Sequence, residues 1–103
     1  MKKQTDPRWD DESVTRGSGN VFIDLGFDPA EAEVMRMRAE VMIHMRDKLK
    51  EYGWTQAEAA RRLGITQPRV SRLVKGKVED FSLDMLLVLA GRVGLRPELR
   101  LSA

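Results

Sequence analysis

Apolar residues recur at helical spacing over most of this chain and switch to strict alternation near its end. Val34, Met37, Val41, Met45, Leu49 and Tyr52 fall three or four apart, which lines one face of a helix of period 3.6. Met35 and Met42 widen that stripe. Methionine packs adaptably in cores and at protein-binding surfaces; Met45 is assigned to the core, and both roles stay open for Met35 and Met42. The helix has a strong start. Asp28 can cap it, Pro29 suits the first helical position and Glu31 stands where a capping box places an acid. It runs to Glu51 or Tyr52 and stops before Gly53.

The stretch Thr55 to Lys77, TQAEAARRLGITQPRVSRLVKGK, spells two short helices with a tight turn between them. Thr55 and Glu58 form a T-x-x-E capping box, and Trp54 can staple onto the helix near Ala59. Leu63 ends the first helix, and Gly64 supplies the left-handed turn. Thr66 caps the second helix, Pro68 is tolerated in its first turn and Gly76 closes it. Ala60 is small where the helices cross, and Ile65, Val70 and Leu73 fill the seam. Ser82 caps a further helix whose Leu83, Leu86, Leu89, Ala90 and Val93 face inward, and Gly94 stops it. In Leu95-Arg96-Pro97-Glu98-Leu99-Arg100-Leu101 apolar and other residues alternate, a strand pattern.

The front of the chain differs. Residues 1–20 mix Lys2, Lys3, Arg8 and Arg16 with Asp6, Asp10, Asp11 and Glu12 and carry Gly17-Ser18-Gly19; such a segment is expected to be a flexible, disordered arm. Trp9 there either anchors a partner or stands exposed. Val21, Phe22, Ile23, Leu25 and Phe27 form a short apolar cluster that either packs on its own domain or is held out for another protein.

Composition narrows the function. The 103 residues leave room for one small domain plus a tail, and a 42% apolar fraction suits a modest core that dimerisation would help. The net charge is only +2, but its distribution matters more. From Gln56 to Lys77 stand Arg61, Arg62, Arg69, Arg72, Lys75 and Lys77 against Glu58 alone, a local excess suited to phosphates. The absence of cysteine excludes disulfides, thiol catalysis and cysteine-ligated zinc. No apolar run approaches the roughly 20 residues that span a bilayer, and the N-terminus lacks a signal-peptide apolar region. The expectation is a soluble, cytoplasmic protein with no membrane association.

The seam residues leave the other face of the Thr66-capped helix free for a major groove. Gln67 can pair in bidentate fashion with an adenine edge, and Arg69 or Arg72 with guanine. Gln56, at the start of the preceding helix, can hold a phosphate together with helix N-terminal N–H groups. Thr66, Ser71, Lys75 and Lys77 suit backbone contacts. Arg61 and Arg62 lie outside the recognition helix and are not expected to read bases. Enzyme chemistry is disfavoured: His44 is the only histidine and has no nucleophile arrangement around it, and no phosphate loop or dinucleotide fingerprint occurs. Glu79, Asp80 and Asp84 are explained by capping and loop solvation. Neither a cofactor nor a metal is expected.

The pattern T-Q-A-E-x-A-x-x-L-G-I-T-Q-x-x-V-S-x-L-x-x-G-K resembles the Xre/Cro helix-turn-helix family and is close to lambdoid phage repressors. The resemblance implies phosphate and base contacts for Gln56 and Gln67; Pro68 stands where that family often has a polar contact. The segments Ser18 to Phe27 (SGNVFIDLGF) and Phe81 to Leu86 (FSLDML), together with T-Q-x-x-V-S, look like HigA-type antitoxins. That resemblance implies repression of the protein's own operon and a partner toxin of the RelE-like ribonuclease type.

The expected architecture is all-α: a lambda-repressor-like helix-turn-helix bundle over residues 21–103, with a short C-terminal β-strand and the N-terminal arm. The expected function is a homodimeric repressor that binds operator DNA and acts as an antitoxin. A stand-alone phage-type regulator is the near alternative, and a protein-interaction module without DNA binding is the distant one. Dimerisation has a candidate route. If two copies of Pro97 to Leu101 paired antiparallel about Leu99, Glu98 of one would face Arg100 of the other, with Leu95, Leu99 and Leu101 covering the last helix; the alternative is pairing within one chain.

Overall fold

A computed structural model of the chain describes residues 20–103. Among them are five α-helices: α1 (Val21–Asp24), α2 (Pro29–Tyr52), α3 (Gln56–Leu63), α4 (Gln67–Val74) and α5 (Leu83–Arg92), with a 3₁₀ turn at Val78–Asp80 before α5. The long α2 is the spine. It packs against α1, α4, the 3₁₀ turn and α5, while α3 packs against α4 and α5.

Each helix starts on a side chain that satisfies otherwise orphaned backbone donors. Asp28 Oδ2 accepts from the N–H groups of Ala30 and Glu31 at 3.0 and 3.2 Å. Thr55 Oγ1 accepts from Glu58 N at 3.1 Å, and Ser82 Oγ from Met85 N at 3.1 Å. Asn20 does the same for α1: its Oδ1 accepts from Phe22 N at 3.0 Å, and its Nδ2 donates to the Ala32 carbonyl at 3.1 Å. Asn20 therefore belongs to the domain rather than to the arm; the rest of the expected arm, residues 1–19, lies outside the described residues.

Met42, Met45, Leu49, Leu63, Val70, Leu73, Val74, Leu86 and Leu89 are the largest fully buried side chains. Met35 and Met42 are both core. The buried stripe on the first half of α2 is rotated from the expected one. It runs through Ala32, Met35 and Met42, while Val34 is exposed. The reason is tertiary: Phe22 and Phe27 pack edge-on at 5.8 Å and join the cluster that contains Met35. The apolar segment 21–27 thus divides, with Phe22 and Phe27 on the domain and Val21, Ile23 and Leu25 exposed.

The expected C-terminal strand is not formed. Residues 95–103 carry no regular structure, and among the described residues there is no strand. Alternation specifies which side chains share a face, but a strand also needs a ladder of backbone partners, and among the described residues no segment pairs with this one. Leu95 packs on the core, whereas Leu99 and Leu101 are 73% and 86% exposed. Among the described residues no helix is long and apolar enough to cross a membrane.

Candidate nucleic-acid interface

The turn between α3 and α4 is built as its residues require. Gly64 adopts φ +76°, and its N–H donates to the Ala60 carbonyl at 2.8 Å. A left-handed conformation of this kind disfavours residues with a Cβ. Ala60 accepts a second bond from Ile65 N at 3.1 Å. Across the turn, Arg92 Nη1 from the end of α5 donates to the Leu63 carbonyl at 2.7 Å. One of the last carbonyls of α3 is thus held by a cation, where the helix dipole is negative.

On α4, Thr66 Oγ1 lies 3.4 Å from the N–H of Arg69 and caps the helix, with Pro68 in the first turn. Val70, Leu73 and Val74 point into the core. The opposite side carries Gln67 and Arg72, exposed, and Arg69 and Ser71, half-buried; Thr66, Lys75 and Lys77 flank it, all exposed. Gln56 is the first residue of α3 and is half-buried. The structure therefore places Thr66, Gln67, Arg69, Ser71, Arg72, Lys75 and Lys77 on one continuous segment, with Gln56 on the adjoining helix.

The two arginines are not loose in solvent. The Arg69 guanidinium lies over the Phe81 ring, 4.5 Å from its centroid. Arg72 Nε stands 3.6 Å from Asp80 Oδ2. Both partners come from the connection between α4 and α5, where the sequence pattern explains Asp80 by loop solvation. That connection is itself pinned: Val78 and Phe81 are buried, and Arg38 Nη1 of α2 donates to the Val78 carbonyl at 3.3 Å. Arg38 and Arg92 escape sequence reading because their partners are 40 and 29 positions away.

Arg61 and Arg62 are engaged on α3. Both converge on Glu58 Oε2 at 2.6 Å, and Arg62 also lies over Trp54 at 4.9 Å. Their hydrogen bonds hold the Glu58 carboxyl down at about 2, below its ordinary 4.5.

The sequence model of a helix-turn-helix domain family matches residues 21–102. The chain belongs to that family. The match spans α1 through the C-terminal tail, so this helix-turn-helix domain includes the α1 and α2 elements that precede the motif. No curated protein matches the chain. Membership supports DNA binding, the role for which a helix-turn-helix presents its second helix to a major groove.

Proposed function

We propose that this helix-turn-helix domain is a sequence-specific transcriptional repressor that acts as a homodimer on operator DNA, and that it serves as an antitoxin. In this reading α4 lies in the major groove. Gln67, Arg69 and Arg72 contact base edges. Gln56, Thr66, Ser71, Lys75 and Lys77 hold the phosphate backbone. The observation that carries it is the division of α4 into a buried face of Val70, Leu73 and Val74 and an outward face bearing Gln67, Arg69 and Arg72.

The antitoxin part rests on the resemblance of residues 18–27 and 81–86 to HigA-type proteins. The residues proposed to meet a RelE-like toxin are the exposed Val21, Ile23 and Leu25, with the arm before them. Glu98, Leu99, Arg100 and Leu101 are the proposed dimer contacts; Leu99 and Leu101 are exposed, and a second copy of the segment would supply a ladder of backbone partners.

The test is a duplex-binding measurement on the R69A/R72A double variant, with folding checked by circular dichroism. A reader of bases loses operator binding while staying folded. Undiminished binding would sink the reading. For the antitoxin role, co-expression with the product of an adjacent small reading frame should relieve that product's toxicity and give a complex that co-purifies.

A further inference from the structure

We infer that Asp80 and Phe81 are specificity-determining positioning residues, which hold Arg72 and Arg69 in the orientations that read bases. The inference rests on the DNA-reading function proposed above and assigns it two residues outside the recognition helix.

Phe81 is 2% exposed, and the Arg69 guanidinium sits over its ring at 4.5 Å. A ring packed into the core is a constrained shelf. The ring covers one side of the guanidinium, and the N–H groups turned away from it serve a bidentate contact with guanine. Asp80 approaches Arg72 from the Nε side at 3.6 Å, with the two side chains 44% and 56% exposed. A pair this open adds little to folding stability. Its geometric effect is larger: with the carboxylate beside Nε, the terminal Nη groups remain available for a base edge.

The support is not free to swing. Val78 is 8% exposed, and Arg38 of α2 fastens its carbonyl. The core thus fixes the 3₁₀ turn, the turn fixes Asp80 and Phe81, and these two orient the arginines. Arginine gives up much rotamer freedom when it binds, and a side chain already oriented gives up less. Asp80 has a second effect. A carboxylate beside a DNA-facing arginine repels phosphate, so it penalises loose, sequence-independent binding more than a docked complex.

The test uses the full chain and a pool of random-sequence duplexes. Wild type, D80N, F81L, R69A and R72A each select from the pool, and thermal unfolding confirms that each variant is folded. The wild type is expected to return a consensus. R69A and R72A should each erase the preference at one position. F81L should weaken the Arg69 position, and D80N the Arg72 position, each about threefold, a fraction of the bidentate contact that R69A or R72A removes outright. D80N should also bind a scrambled duplex more tightly, by about two- to threefold. F81L keeps an apolar plug in the buried slot; should it fail to fold, D80N alone decides, because its site is on the surface. A uniform loss of affinity with every base preference intact would overturn the inference and leave DNA reading in place. A wild type that returns no consensus would instead overturn the DNA-reading function beneath it.

Discussion

Arg92, at the end of α5, donates a 2.7 Å hydrogen bond to the carbonyl of Leu63, the last residue of α3. The same Nη1 lies 3.2 Å from where a Cβ on Gly64 would stand. One side chain therefore ties α5 to the turn that aims α4. R92A should lower unfolding stability by about 1 kcal/mol, the scale of a hydrogen bond made by an exposed charged group. G64A should cost about 1–2 kcal/mol from its left-handed backbone alone. The two should be less than additive, because the added methyl crowds the same guanidinium that R92A removes. Urea unfolding of the two single variants and the double variant measures the coupling; strict additivity would show that Arg92 does not brace the turn.

Met42 is 1% exposed and sits among core residues. M42A should cost about 2–5 kcal/mol, since the cavity left in a helical core closes only in part. A variant with unchanged denaturant midpoint would return Met42 to the surface role that its side-chain chemistry also allows.

Glu58 gives the domain an acid-sensitive feature. Its carboxyl is held at about 2 in the folded state against an ordinary 4.5, chiefly by hydrogen bonds from Arg61 and Arg62. A carboxylate with a depressed pKa contributes stability above its unfolded value and loses it as pH falls through the folded value. Wild type should therefore unfold at a somewhat higher temperature than E58Q at pH 7, and the gap should close between about pH 4.5 and 2. The gap should be small, because all three side chains are partly exposed. Melting curves across that range decide it, and a difference that persists at pH 2 would contradict the assignment.

Salt separates phosphate contacts from base contacts. The logarithm of affinity should fall linearly with the logarithm of salt, with a slope of roughly −0.9 per phosphate neutralised. K77A should flatten that slope by about one per lost phosphate and weaken all duplexes alike. R72A should act mainly on the base preference. Fluorescence anisotropy at several salt concentrations resolves the two, and a flat salt dependence in the wild type would exclude a phosphate-facing surface.

Removal of residues 97–103 should leave the helices folded and convert a dimer to a monomer in sedimentation. The segment carries no regular structure within one chain, and Leu99 and Leu101 are exposed. A truncated protein that still sediments as a dimer would place the two-fold contact elsewhere.

Where a local rule suffices, the residues alone announce the outcome. Caps at Asp28, Thr55, Thr66 and Ser82, and left-handed glycines at 53, 64, 76 and 94, bounded the helices, because backbone donors and a positive φ are satisfied by residues next to them in the chain. The same local logic placed Val70 and Leu73 inward and Gln67 and Arg72 outward on α4. Features that depend on partners far along the chain emerge only with packing. Phe22 and Phe27 pack against the core beside the rotated stripe of α2, and among the described residues no segment pairs with the tail. Arg92 reached Leu63, and Asp80 and Phe81 met Arg72 and Arg69. Periodicity says which side of an element is apolar, but only packing says what stands opposite it.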